Sequence, residues 1–221
     1  MRKKIYVHVA DDHKILIEGI IAVINTDKDI EINDYSLTGK EVIDWFDKKG
    51  NKADVLILDI TMPILDGFEV LKYFNKNGIQ QKVIILSSYD DIKIVQEMLS
   101  LGCKGYISKN NAGAHIVDAI KAVARGEQYF SDDIQNNLLK SFSGQEVADG
   151  EAPDKFLKES LTEREIHVLR LITKELSTHQ IADIMSISTS TVDTHRKKLL
   201  KKLKVKNSVG LAMYAVKNKI V

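Results

Sequence analysis

Four short apolar runs in this chain each end at side chains able to hold a metal ion or a phosphoryl group, and this repetition narrows the possible folds most. Ile5 to Ala10 leads to Asp11-Asp12, Val55 to Leu58 to Asp59, Val83 to Leu86 to Ser87-Ser88, and Tyr106-Ile107 to Lys109. Short runs rich in β-branched residues mark strands buried on both faces, as in a parallel sheet. Between them, apolar residues recur at helical spacing: Ile15, Ile20, Ala22 and Val23; Val42, Ile43, Trp45 and Phe46; Phe68, Val70, Leu71 and Phe74; Ile92, Val95, Met98 and Leu99; Ile116, Ala119, Ile120 and Val123. The pattern predicts five strand–helix units over residues 1–126, a doubly wound α/β fold on a five-stranded parallel sheet. Ligands of such sheets collect beyond the carboxyl ends of the strands, so three carboxylates, a hydroxyl and an ammonium should share one site.

Charge divides the chain further. The whole carries a formal net charge of +1, but residues 1–126 hold 17 Lys/Arg against 18 Asp/Glu, residues 127–158 hold 3 against 7, and residues 159–221 hold 12 against 6. A surplus of +6 in the last segment is the electrostatic footprint of an anion-binding module. Residues 127–158, with Ser143-Gly144, Asp149-Gly150 and Pro153, read as a mobile linker that carries a short helix around Ile134 to Phe142. From Leu161 onward only helical spacing returns, and four helices are expected over 159–221. A single cysteine, Cys103, excludes an internal disulfide and fits a reducing compartment. The apolar start is broken by His8 and Asp11, so it cannot be a signal-peptide core. No run reaches the ~18 apolar residues of a membrane span, and a soluble, cytoplasmic protein is expected.

At the predicted site, Asp59 stands alone after the central strand, with Pro63 and Asp66-Gly67 shaping the loop behind it, and is assigned as the phosphoryl acceptor. Asp11, Asp12 and the backbone carbonyl of Thr61 are the expected ligands of Mg²⁺, which takes oxygen ligands and keeps several waters. Lys109 supplies positive charge to the phosphoryl oxygens and Ser87 a hydrogen bond to one of them. Thr61 and Tyr89 flank the pocket. Asp residues after strands commonly cap helices instead, and for Asp12, beside a helix starting near His13, capping is a compatible second role.

Residues 1–126 resemble the receiver domain of bacterial two-component response regulators, a flavodoxin-like fold. The resemblance rests on Asp11, Asp12, Asp59, Pro63, Asp66, Gly67, Ser87, Tyr106 and Lys109. It implies an acceptor Asp59 phosphorylated by a sensor histidine kinase, and a switch in which Ser87 moves toward the phosphoryl group while Tyr106 turns inward. A tyrosine simply packed at a sheet edge is the alternative for Tyr106. The chain departs from the family at Asn110, where proline is usual, and a non-proline cis bond costs about 2.5 to 4 kcal/mol.

Residues 180–206 carry the second signal. Ile181, Ala182 and Met185 form one apolar face, Ser186-Ile187-Ser188 a break, and Ser188 an N-cap for a helix turning Val192, Leu199, Leu200 and Leu203 inward. Arg196, Lys197, Lys198, Lys201, Lys202, Lys204 and Lys206 set seven cations in eleven residues. A charge run alone is usually a solvated helix face, but two helices joined by a short turn read as a helix-turn-helix whose second helix enters the major groove of DNA. The segment resembles the LuxR-type, or NarL/FixJ-type, DNA-binding domain through Leu161-Thr162-Glu163-Arg164-Glu165, Val168-Leu169, Ile181-Ala182, Ser188, Thr191-Val192, His195, Lys202-Leu203 and Val205. Glu175 stands where that family has the glycine of a left-handed turn. By position, Asp193, Thr194 and Lys197 face base edges, while Thr191, His195, Lys198 and Lys201 lie against phosphates. An acidic residue at Asp193 either accepts from a cytosine amino group or sits outside the groove. A final helix, Ser208 to Val216, closes the small core, serves a dimer contact, or does both.

The expectation is a phosphorylation-controlled transcriptional regulator, partnered by a sensor histidine kinase and double-stranded promoter DNA and acting as a homodimer without membrane contact. Its unphosphorylated receiver either occludes the output domain or fails to dimerise. Two rivals remain: a DNA-binding protein whose receiver is a phosphate-independent dimerisation module, and a phosphatase of the haloacid dehalogenase type. The second needs an Asp two positions after the nucleophile, where this chain has Thr61.

Overall fold

The computed structural model describes residues 4–143, 157 and 161–220, and the chain divides into two compact units, Met1–Glu151 and Ala152–Val221. In the first, β1 (Ile5–Ala10), β2 (Ile30–Ser36), β3 (Val55–Leu58), β4 (Val83–Ser87), β5 (Gly105–Ser108) and β6 (Tyr129–Phe130) form one sheet in the order β2-β1-β3-β4-β5-β6. All five pairings are parallel. Successive residues of a strand face opposite sides, so Val9, Ile57, Ile84 and Ile107 meet α1 (Lys14–Ile24) and α5 (Ala112–Ala124) in one core through Ile17, Ile20, Ile116 and Ile120. Three further helices follow β2, β3 and β4: α2 (Gly39–Asp47), α3 (Gly67–Lys76) and α4 (Ile92–Ser100). The order of strands reverses between β1 and β3, which opens a crevice at their carboxyl ends.

Three expectations need correction. The sheet has six strands, not five, because β6 is only two residues long and leaves no periodic signal in sequence. It is held by its backbone: Tyr129 N–H donates to Lys104 O at 3.0 Å and Ser131 N–H to Tyr106 O at 3.1 Å. The stretch read as a linker from residue 127 therefore begins as β6 and α6 (Asp132–Phe142), which buries Ile134 and Leu138 and packs on α4. Its residues 144–156 and 158, and residues 159–160 of the following segment, lie outside the described residues. Within α1, Ile15 faces solvent, at 86 % exposure, although its spacing suggested the core.

In the second unit, residues 161–220 contain α7 (Glu163–Thr173), α8 (Thr178–Met185), α9 (Thr189–Lys202) and α10 (Ser208–Lys217), the four helices expected there. Each begins at a side-chain cap. Thr162 with Glu165 and Ser177 with Gln180 form reciprocal capping boxes, Ser188 accepts from Thr191 N–H, and Asn207 accepts from Gly210 N–H. Val168, Leu169, Ile181, Val192, Leu199, Leu211 and Ala215 are buried together. Glu175 takes the left-handed turn at φ 59° without being glycine, and closes α7 through hydrogen bonds from Glu175 N–H to Ile172 O and from Leu176 N–H to Leu171 O. In the same way α9 stops at Lys202, short of Lys206, because Lys204 turns left-handed at φ 54° and Val205 N–H donates to Leu200 O. Among the described residues, no helix is long and apolar enough to cross a membrane.

Candidate functional site

The crevice between β1 and β3 gathers the carboxylates that follow these strands. Asp11 and Asp59 are almost wholly buried, and the Lys109 ammonium lies 2.7 Å from Asp11 Oδ2 and 2.9 Å from Asp59 Oδ2. Burial pulls that ammonium down, but the two carboxylates outweigh it and hold Lys109 above the ordinary lysine range. For Asp59, burial is the larger effect and pushes its carboxyl up to about 6; Lys109 and the Thr61 N–H oppose this rise, and Asp11 adds to it. Asp12 is more exposed at the rim. The ligand atoms of Asp11, Asp12, His13 and Asp59 all lie within 4.8 Å of one another, so this is a cluster that can hold a cation.

Local structure sets these positions. Asp59 is fixed by its N–H, which donates to Ala10 O, and Gly67 N–H returns the loop to Ile60 O. A Cβ on Gly67 would stand 2.5 Å from Asp59 O, so only glycine lets α3 start so close behind the end of β3. Asp66 caps α3 in a box with Glu69. Between Pro63 and Leu65 the chain makes a tight γ-turn, Leu65 N–H to Pro63 O at 2.9 Å, that drives Ile64 to φ 73°. That conformation is strained for a β-branched residue.

Ser87 and Tyr106 meet around Tyr89. Ser87 is wholly buried and its Oγ accepts from Tyr89 N–H at 3.1 Å; the Tyr106 hydroxyl donates to Tyr89 O at 2.5 Å. Tyr106 points inward with no exposed surface, and burial pushes its phenol up despite a hydrogen bond with Ser87. It does not stand at a sheet edge, since β5 pairs with both β4 and β6. All described peptide bonds are trans, including that between Lys109 and Asn110.

His13 is the residue that sequence reasoning passed over. Its Nδ1 lies 3.1 Å from Asp11 Oδ1 and 2.8 Å from Asp12 Oδ1, and its N–H donates to Asp11 Oδ1 at 2.8 Å. The signal was its adjacency to the acidic pair, where it was read only as the start of a helix.

In the second unit the cations of α9 separate into two groups. Lys197, Lys198 and Lys201 are exposed, as are Asp193 and Thr194, and Thr191 and His195 are half-buried. Arg196 instead reaches Leu176 O at 3.4 Å, and Lys202 pairs with the buried Glu165 carboxylate at 2.7 Å. These two brace α9 against the residues around α7, so the run of seven contributes fewer outward charges than its count suggests. Thr191 Oγ1 lies 2.8 Å from the Ser188 hydroxyl, and Thr194 Oγ1 donates to Ser190 O.

Comparison with known proteins agrees with this geometry. The family described as the response regulator receiver domain matches residues 7–121, and that of bacterial regulatory proteins, luxR family, matches residues 159–215. The transcriptional regulatory protein MctR of Rhizobium johnstonii is 33% identical over 223 residues, covering 100% of this chain and 97% of its own. The oxygen regulatory protein NreC of Staphylococcus carnosus is 30% identical over 217 residues, covering 96% and 97%. Among solved structures, RcsB of Salmonella enterica serovar Typhimurium, bound to promoter DNA in the presence of a phosphomimetic, is 25% identical with a TM-score of 0.68, covering 96% of this chain and 98% of its own. With a receiver fold ahead of a LuxR-type unit along one chain, the protein belongs to the NarL/FixJ family of response regulators, the DNA-binding transcriptional regulators of bacterial two-component systems.

Proposed function

We propose that Asp59 accepts a phosphoryl group from a phosphohistidine of a sensor histidine kinase, and that the resulting acyl phosphate sets how firmly α9 holds promoter DNA. In the transfer a carboxylate oxygen of Asp59 bonds to phosphorus as the donor's phosphorus–nitrogen bond breaks, and the departing imidazole keeps the electron pair and takes up a proton. The observation that carries this reading is the buried Asp59 carboxylate sharing the Lys109 ammonium with Asp11 at the mouth of a strand crevice. Lys109 then stays beside the added charge of about −1.5 to −2. Asp11, Asp12, Asp59 and the Thr61 carbonyl are the groups that would hold Mg²⁺, which when bound would draw negative charge off the donor phosphate. Ser87 donates to a phosphoryl oxygen, and Tyr106 is already in the inward position that the switch requires.

On α9, Asp193, Thr194 and Lys197 read base edges, and Thr191, His195, Lys198 and Lys201 position the helix on phosphates. A homodimer on inverted half-sites is supported by Val209, Met213 and Val216, three exposed apolar residues of α10 at helical spacing. Acting on promoters, the protein works in the cytoplasm.

Incubation with a small phosphodonor and Mg²⁺ should label the wild type, and Asp59→Asn should abolish the label. Retained label would remove Asp59 as acceptor. Equal DNA affinity of the wild type and Asp59→Asn under phosphorylating conditions would favour a receiver that only dimerises, and turnover of a generic phosphate ester would favour a phosphatase.

A further inference from the structure

We infer that His13 is a metal ligand, and that its imidazole makes this acidic site one that binds borderline divalent ions such as Ni²⁺ through a nitrogen that Mg²⁺ does not use. The inference rests on the reading of Asp11, Asp12 and Asp59 as the cation site and adds one residue to it.

His13 occupies the N-cap position of α1 but its side chain makes no capping hydrogen bond. Its Nδ1 turns back instead to lie against two carboxylates at once, Asp11 Oδ1 and Asp12 Oδ1. One N–H is poorly used between two acceptors. The same nitrogen without its proton offers a lone pair to a cation held by those carboxylates. Asp11, Asp12 and Asp59 together carry three negative charges, and the nearby Lys109 supplies one positive charge, so a divalent ion is the natural complement. The imidazole is 69 % exposed, so it can shift between its carboxylate partners and a cation with little loss of packing.

Donor chemistry then decides which ions gain. Carboxylates, carbonyls and water suit Mg²⁺, whereas imidazole adds affinity for Ni²⁺ and Zn²⁺. Removing His13 should therefore leave Mg²⁺ binding nearly unchanged and weaken Ni²⁺ binding by at least as much as the loss of an outer-shell partner, about 10–100-fold.

The test is calorimetric titration of the full chain with Ni²⁺ and, separately, Mg²⁺, at about pH 8, above the ordinary histidine pKa. Wild type is compared with His13→Gln, which keeps a polar side chain but loses the imidazole, and with Asp11→Asn; the visible spectrum of bound Co²⁺ serves as a second readout. We expect His13→Gln to lose Ni²⁺ affinity at least about tenfold and to change the Co²⁺ spectrum, with Mg²⁺ affinity held within about twofold. Ni²⁺ affinity unchanged in His13→Gln, or unaffected by Asp11→Asn, would overturn the assignment of His13 while leaving the Mg²⁺ site intact. Mg²⁺ binding indifferent to Asp11→Asn would remove the underlying site, and the inference with it.

Discussion

The two units close their helices with the same hydrogen bonds but not with the same residues. In the receiver, α3, α4 and α5 end at Gly78, Gly102 and Gly126, all with positive φ. In the DNA-binding unit α7, α8, α9 and α10 end at Glu175, Ser186, Lys204 and Lys219, with φ between 50° and 59°. A side chain in that region costs roughly 1 kcal/mol or more, which glycine avoids. What offsets it is visible one residue later: Leu176, Ile187, Val205 and Ile220 each follow a left-handed residue and each packs on the small core. Among the described residues the receiver has a single strained non-glycine, Ile64, and it sits in the loop beside Asp59. Among the described residues, backbone strain is thus spread over the helix ends of one unit and confined to the loop after Asp59 in the other.

Substitution should break this contrast in graded steps. The largest effect is expected of Gly67→Ala, where the new Cβ meets backbone rather than a movable side chain. It should cost the receiver about 3 kcal/mol in urea unfolding followed by Trp45 fluorescence, and leave the DNA-binding unit unaffected. A wild-type midpoint would show that α3 can back away from Asp59.

Next comes His8, wholly buried, bonded to Ser36 and stacked on Trp45, whose burial lowers its pKa to about 4. A base depressed in the folded state stabilises it above the unfolded pKa of about 6.5 and loses that contribution as pH falls toward 4. Between pH 7 and 5 the loss should be about 2 kcal/mol. Asp59 works in the opposite sense, because its raised pKa makes the folded state take up a proton in that range. The comparison is therefore between Asp59→Asn and the double variant with His8→Gln, and equal pH slopes would mean that His8 is not held neutral.

The two groups of α9 cations predict a split of similar size. Lys197→Ala should weaken specific DNA binding by about 1 to 3 kcal/mol without changing stability, and an equal loss on random DNA would reassign Lys197 to the backbone. Lys202→Ala should instead lower the stability of the second unit by about 1 to 2 kcal/mol, because it removes the ammonium from the buried Glu165 carboxylate and leaves it the hydrogen bonds from Thr162.

The smallest pair tests the helix ends directly. Glu175→Gly should stabilise the DNA-binding unit by about 1 kcal/mol, and Gly102→Ala, whose Cβ meets nothing within 4 Å, should destabilise the receiver by a similar amount. Thermal unfolding of the two variants should move in opposite directions. Movement in the same direction would mean that the left-handed residues do not carry the strain.

Much of this architecture was legible because it depends on short-range pattern. The runs ending at Asp11, Asp59, Ser87 and near Lys109 are strands β1, β3, β4 and β5, and their ends meet because parallel strands put like ends on one side. Thr162 and Glu165, among the residues that carried the LuxR-type resemblance, open α7 of the second unit, because a capping box is local. β6 was not legible, since two residues have no period. Nor was the exposure of Ile15, which the apolar pattern had grouped with the buried Ile20. Glu175 shows the limit of a residue-type rule: glycine favours the left-handed turn, but a well-packed Leu176 suffices to hold it.

By itself, then, the order of apolar and charged residues determined two units, a parallel sheet with its acidic rim, and a basic helix behind a turn. Those follow from period and charge, which each segment carries alone. Only the tertiary structure decided that His13 turns back on Asp11 and Asp12, that Tyr106 lies inward under Tyr89, and that Arg196 and Lys202 brace the fold while Lys197, Lys198 and Lys201 stay free to meet an anion. A side chain's direction is set by the neighbours that folding brings to it: for Tyr106, Arg196 and Lys202 those neighbours are distant in sequence, and for His13 they are adjacent but reached only through the turn the backbone takes before α1.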